Sequence, residues 1–570
     1  MRKQLFFAMT LVLALVFSSC NKDLTALDPS LFTCTPNPLV EKGGKVDATI
    51  TGTFPVKYFS KKATVTVTPV LVFNGTEVKG TPSVFQGEKV KSNNSVISYK
   101  AGGKYTISTS FKYVPEMAKS ELYLDFSVTT KKKTYTLPRV KVADGVMATS
   151  QLVTKQFGAN DTENGPVIIA DKFQRIIQEM QEADIKFLIQ RADLQKKELK
   201  SEDVIELTKK IKEASDAANK AVSGLEVAGY ASPDGAVELN TNLAEKRQKV
   251  TNDFLNKELK KLKSSVTIDS KFTAEDWDGF QKLLESSSIQ DKQLILNVLN
   301  MYTDPEQRET EIKNLSTVFK SIAEEILPEL RRSRLKLTVD VTGKSDAEIA
   351  SLAKDDASKL SLEELLYAAT LTSDLNEKAA IYTKVTQLHT DCARGFNNLG
   401  VVKYQQGSIE EAGRLFAKAL ELKSMPDINY NAGLVALAKG DLSNAEVSFG
   451  KAAGSKGNVA NALGTISIIK GDYAKAKTHL AKVNSNNAAI MQILDGNYNG
   501  ARATLDAIST PDALTSYLAA IVGARTNNRD AVYAGLRKAV SMDAIYKAKA
   551  QKDIEFAKFN TEDTFKQIVN

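Results

Sequence analysis

A chain of 570 residues is too long for one hydrophobic core and implies roughly three or four domains. Apolar residues make up 42% and charged residues 25%, a globular composition that excludes a disordered or collagen-like chain. The formal charge of +8 is small for this length and forms no concentrated basic stripe, so nucleic acid is not an expected partner.

The chain opens with Arg2 and Lys3, and residues 5–17 are apolar apart from Thr10. That run falls short of the roughly 20 residues that span a bilayer and has the length of a signal-peptide hydrophobic region. Phe17-Ser18-Ser19-Cys20 resembles a bacterial lipobox. The resemblance implies a signal peptide over 1–19 and a multiply acylated Cys20. Several acyl chains, at about 0.8 kcal/mol per buried methylene, anchor firmly. The expected address is the outer membrane, held by lipid and not crossed. Asn21, Lys22 and Asp23 weakly resemble the surface-export signal of Bacteroidetes lipoproteins, which leaves the periplasmic and cell-surface sides both open. The other cysteines, Cys34 and Cys392, are too few for a disulfide framework and are expected as free thiols.

Residues 20–150 are rich in Thr, Val and Gly, and Thr64-Val65-Thr66-Val67 alternates with period two. Asn74-Gly75 is a strong hairpin signal. Short strands at this spacing predict an all-β, immunoglobulin-like sandwich. Its roles are recognition of a partner or glycan, or a plain spacer that holds the next domain off the membrane.

Residues 151–345 predict an α+β domain. Strands are expected at 185–189, 225–228, 265–269 and 335–339, and a helix is expected from about Asn240. Within it, Gly229-Tyr230-Ala231-Ser232-Pro233-Asp234-Gly235 followed by Asn240, Leu243 and Arg247 resembles the C-terminal domain of the OmpA family. That resemblance implies peptidoglycan binding. A carboxylate in the loop would face the amine of diaminopimelate, and Arg247 its carboxylate. Asn240 matches the loop asparagine, but Ser232 stands where the acid belongs. A serine cannot neutralise an ammonium group, so Asp234 is the candidate replacement. The alternative is an inherited fold kept as a scaffold. A helical insertion starts near Trp277, whose acidic neighbours read as a helix N-terminus. With the Tyr-Ala-Ser-Pro loop, the whole resembles OmpA-like lipoproteins of Bacteroidetes.

Residues 346–570 are helical and repetitive. Asn398-Leu399-Gly400, Tyr404, Gly407, Ala412, Phe416 and Ala419 resemble the tetratricopeptide repeat, and so do Gly433, Ala445 and Phe449 and then Gly464, Ala476 and Leu480. Gly400 and Gly433 lie 33 residues apart and Gly433 and Gly464 31, against about 34 for this repeat. Weaker copies are expected at 363–388 and 488–540, and a capping helix at 544–558. The resemblance implies an all-α superhelix whose concave face holds a protein partner. The plainer reading is an array that packs only on its own chain.

No catalytic constellation, metal site or cofactor motif is legible. His389 and His479 match no familiar zinc spacing, and Gly343-Lys344-Ser345 lacks the leading glycine of a P-loop. The expected function is therefore non-enzymatic: a lipid-anchored envelope scaffold binding protein partners and peptidoglycan. The alternatives are an assembly factor for surface fimbriae or an outer-membrane complex, and a surface glycan-binding lipoprotein.

Overall fold

The computed structural model describes residues 24–570 except Lys132, residues 158–162 and Asp291, with the side chains of residues 316–318 also left out. Cys20 and the lipobox lie outside the described residues. The chain forms two compact units that do not follow sequence order. Residues up to Ala170 join Thr372–Asn570, and Asp171–Leu371 form the other. Among the described residues, no helix is long and apolar enough to cross a membrane.

In the first unit, the alternating threonines and valines become strand Thr64–Phe73, with every second side chain of its first half buried. It pairs antiparallel with Ser120–Thr129 and Ser83–Gly87. A second sheet is built on Lys45–Phe54, which pairs with Phe32–Thr35, Leu39–Lys42 and Gly103–Lys112. One core joins both sheets, from Val46 and Ile50 to Val65, Leu124 and Phe126. This is the expected β-sandwich. Asn74 and Gly75 take positive φ, 49° and 77°, and set Phe73 opposite Thr76, so the two-residue hairpin forms where it was predicted. Cys34 and Cys392 are free thiols.

The helical part of this unit is a run of helix pairs. Ala393–Gln405 packs with Ile409–Leu422, Pro426–Ala438 with Leu442–Gly450, and Val459–Ile469 with Tyr473–Leu480. Asn486–Leu494 then pairs with Tyr498–Asp506, and Ala513–Arg525 with Arg529–Met542. The repeat glycines explain the tight packing. A Cβ at Gly400 would stand 2.7 Å from the Phe416 ring, and one at Gly433 2.6 Å from Phe449. Only glycine lets the helices close at these points. The stretch expected as the cap forms helix Ile545–Lys552 and the 3-10 segment Ile554–Phe559, and one more helix, Asp563–Val569, packs on Arg529–Met542 beside them. The sandwich meets the array at Tyr473, which donates to the Glu41 carbonyl at 3.5 Å and lies under Lys42 Nζ at 4.9 Å, and at the buried Glu555. Glu555 accepts from Thr149 Oγ1 at 2.5 Å and from Arg525 Nε at 2.6 Å.

The second unit has a four-stranded sheet in the order Ile176–Lys186, Arg332–Thr342, Lys220–Tyr230, Ile268–Thr273. The last two are parallel and the other pairs antiparallel. Helices Glu202–Asp216 and Val237–Lys261 pack Leu207, Ile211 and Leu255 with Leu225, Val227 and Leu337 of the sheet in one core. The α+β pattern is therefore present, with two strands displaced from their expected places. The strand expected at 185–189 is only the tail of Ile176–Lys186, and the one expected at 265–269 begins at Ile268. Most residues of both strands are exposed. They are held by backbone pairing along an edge, so hydropathy does not mark them. The helical insertion has its own core around Phe280, Leu284, Ile295 and Leu299.

Both boundaries of the α+β domain also move. Helices Asp346–Asp355 and Leu362–Ala368 belong to this unit, where Phe173 stacks on Tyr367 at 4.4 Å and the Lys172 N–H donates to Glu363 at 2.6 Å. Residues 151–170 belong to the first unit, for a reason visible in the groove of the array.

Candidate functional site

The loop after strand Lys220–Tyr230 and the helix Val237–Lys261 carry the four residues expected to bind peptidoglycan. Ser232, Asn240 and Arg247 are buried, and Asp234 is mostly so. Arg247, only 1% exposed, does not face an open site. Its Nε donates to the Arg191 carbonyl at 3.0 Å, Nη1 to Tyr230 at 2.9 Å and Nη2 to Leu188 at 3.3 Å. Its guanidinium lies over the Phe187 ring at 5.3 Å. Burial, with the repulsion of nearby Arg331, pushes Arg247 down to about 10, against the pull of Asp234.

The loop acid is also engaged. Arg331 Nη2 donates to Asp234 Oδ2 at 3.1 Å and its Nε to Ser232 Oγ at 3.2 Å, while Ser232 Oγ donates to Asp234 Oδ1. Asn240 Nδ2 bonds the Gly235 carbonyl at 3.0 Å and Glu275 Oε1 at 3.4 Å. The hollow lined by Pro233, Asp234, Trp277 and Phe280 has about 10 Å³, room for about one water molecule. The structure thus brings the predicted residues into one neighbourhood and satisfies each from within the unit. Arg331, absent from the sequence-level site, is the residue that neutralises Asp234. Nearby, Asp276 caps helix Trp277–Ser286 through the Gly279 N–H at 2.8 Å, so the acidic cluster is a helix start as expected. Gly343-Lys344-Ser345 is the short connection into helix Asp346–Asp355, with Ser345 in a capping box.

The second candidate lies on the first helices of the pairs, where buried asparagines hold backbone of the same chain at Thr154, Val167 and Ile169. The Val167 N–H donates to Asn431 Oδ1 at 2.7 Å, and Asn431 Nδ2 returns a bond to the Val167 carbonyl at 2.8 Å. Asn398 holds Ile169 in the same two-bond ring, at 2.9 Å and 2.9 Å. Asn487 holds Thr154 likewise, again at 2.9 Å and 2.9 Å. A primary amide offers one acceptor beside a donor, which matches the N–H and C=O of a single extended residue. Asn397 Nδ2 adds a bond to the Val167 carbonyl at 3.1 Å, and its Oδ1 accepts from Asn431 Nδ2 at 2.8 Å. Tyr430 donates to the Asn164 carbonyl at 2.8 Å.

The side chains of the held stretch alternate. Ile169 is buried with Ala393, Ala419 and Ile428. Val167 packs beside Tyr430 and Leu434, whereas Ile168 is 38% exposed. No known motif marks this site in the sequence, although a signal is present. Asn398 and Asn431 each stand two residues before a repeat glycine, a polar residue repeated on a helix face that is otherwise core.

No family model matches the chain and no curated protein matches it. Among solved structures, a tetratricopeptide repeat protein from Parabacteroides merdae is similar at 17% identity, covering 40% of this chain and 91% of that one, with a TM-score of 0.31. YrrB, a TPR protein with an unusual peptide-binding site, is similar at 24% identity over 30% of this chain and 99% of its own, TM-score 0.24. PilW, a type IV pilus biogenesis factor, is similar at 16% over 40% and 98%, TM-score 0.27. With scores this low, the assignment of repeats rests on the chain's own helix pairs and repeat glycines.

Proposed function

We propose that this chain is a non-enzymatic scaffold of the bacterial cell envelope, anchored by lipid on Cys20, that works by holding polypeptide along its helical repeats. The observation that carries the reading is the asparagine groove, a surface built to take an extended backbone and seen with one in place. The anchor is supported by the lipobox-like Phe17-Ser18-Ser19-Cys20. Peptidoglycan contact through the loop is the weaker part. It would require Asp234 to leave Arg331, and Arg247 to leave three carbonyls.

Fractionation and cross-linking of intact cells test this reading. The expected result is a membrane-bound chain that becomes soluble with Cys20→Ala, and cross-links from residues 372–570 to other envelope proteins. A wild-type chain found free in the soluble fraction, or cross-links confined to the chain itself, would overturn it.

A further inference from the structure

The stretch 163–170 is held in a way that a fixed structural segment does not need. Its main polar contacts go to its own backbone: Asn431 and Asn397 on Val167, Asn398 on Ile169, Tyr430 on the Asn164 carbonyl. Side-chain contacts add to them, Asn458 Nδ2 to Asn164 Oδ1 at 3.1 Å and Ser509 Oγ to Glu163 Oε1 at 3.4 Å. Such contacts do not depend on which residue occupies the position. Only Ile169 is an apolar side chain fully buried, worth about 1.5–3 kcal/mol. Neutral amides released from the segment would be hydrated by water or bonded by another backbone, so emptying the groove strands no charge.

We propose that residues 163–170 are the resident occupant of a backbone-reading site, and that the site takes in exchange an extended segment of a partner polypeptide. The segment it fits carries aliphatic residues at alternating positions, as Val167 and Ile169 do, with the intervening side chain turned to solvent. A segment with a charge at either inward position is rejected, because the charge would be buried among Ala393, Ala419 and Ile428 at the place of Ile169, or set against the apolar cluster of Tyr430 and Leu434 at the place of Val167. A segment with proline at an inward position is rejected too, because it lacks the N–H that the asparagine oxygen accepts. The occupant belongs to the same chain and so competes at an effective concentration of order mM. The groove therefore opens only to a partner that binds well or is itself held nearby.

This inference rests on the reading of the array as a holder of polypeptide, and its test is independent of the envelope. The probe is a fluorescent peptide with the sequence of residues 163–172. The protein is the full chain, either wild type or with Val167→Asp and Ile169→Asp, which evict the resident segment and leave the groove intact. The double variant is expected to bind the peptide at least tenfold more tightly than wild type. Adding Asn398→Ala and Asn431→Ala should abolish that gain, and N-methylation of the peptide's Val167 amide should cost more than tenfold. Changing its outward Ile168 to alanine should cost less than threefold.

Equal binding by wild type and the double variant would overturn the proposal. So would loss of the helical circular dichroism signal in the double variant, since the segment would then be a permanent part of the core. Hydrogen exchange on the wild type gives a second reading. The Val167 and Ile169 amides should exchange at least tenfold faster than those of helix Pro426–Ala438, and equal protection would also overturn it. If the peptide fails while cross-links to envelope proteins persist, the array holds partners on another face and only the exchange idea falls.

Discussion

Two buried polar clusters, one in each unit, make opposite use of similar ingredients. In the second unit, Arg247, Arg331 and Asp234 are charged, and they are neutralised or bonded by residues of the same fold. In the first unit, Asn398, Asn431 and Asn487 are neutral and bond the backbone of Ile169, Val167 and Thr154. A charge inside a protein must find its partner at once, because leaving it unpaired is costly. An amide can take water or any extended backbone in turn. The contrast sets a loop whose charges are already matched within its own fold against a repeat face whose amides hold a passing backbone.

The contrast can be broken by substitution. The largest effect is expected for Arg247→Ala. It orphans three carbonyls and empties a buried volume, and should destabilise the second unit by about 3 kcal/mol in denaturant unfolding. Its sedimentation with peptidoglycan should match wild type. Lost sedimentation with unchanged stability would instead make Arg247 a ligand-binding residue.

A smaller effect, about 2 kcal/mol, is expected for Asn431→Ala. It should appear as faster hydrogen exchange at Val167, with the far-UV circular dichroism of the array unchanged. Global melting of the array would show the groove amides to be as structural as the arginine. Removing a cap is smaller again. Ser361→Ala should cost about 1 kcal/mol, read as a lower midpoint for the second unit.

The smallest effect is on pH. Burial pulls Glu364 upward, but hydrogen bonds from Ser361 and the Lys344 ammonium hold it below its ordinary 4.5. A carboxylate lowered on folding contributes stability above that ordinary value and loses it as pH falls through the lowered one. The second unit should therefore weaken on acidification below about 4.5, and Glu364→Gln should flatten that slope. A slope unchanged by the substitution would assign it to other acids.

The sequence was most legible where a side chain faces a core. Val65 and Val67 announced their strand, and the Gly400–Phe416 and Gly433–Phe449 pairs announced the helix stack. Legibility failed where backbone pairing, not burial, holds an element, as in the exposed first half of strand Ile176–Lys186. At the predicted site, the family pattern located the right loop and helix but could not show Arg331 reaching Asp234 from 97 residues away. The groove escaped for the converse reason. In the sequence Asn398 is one letter of a repeat, and its partner Ile169 lies 229 residues earlier in a stretch with no element of its own.

That separation governs the order in which the molecule can be completed. Ile169 leaves the ribosome long before Asn398, and Thr154 precedes Asn487 by 333 residues. At about 5–20 residues per second, the early stretch waits on the order of ten seconds to a minute for the helices that will hold it. Throughout that interval Val167 and Ile169 lack the apolar helix faces they pack on, and long-range closure of this kind is slow. Newly made chains should accordingly need an escort, a holding chaperone for example, until the last helices emerge.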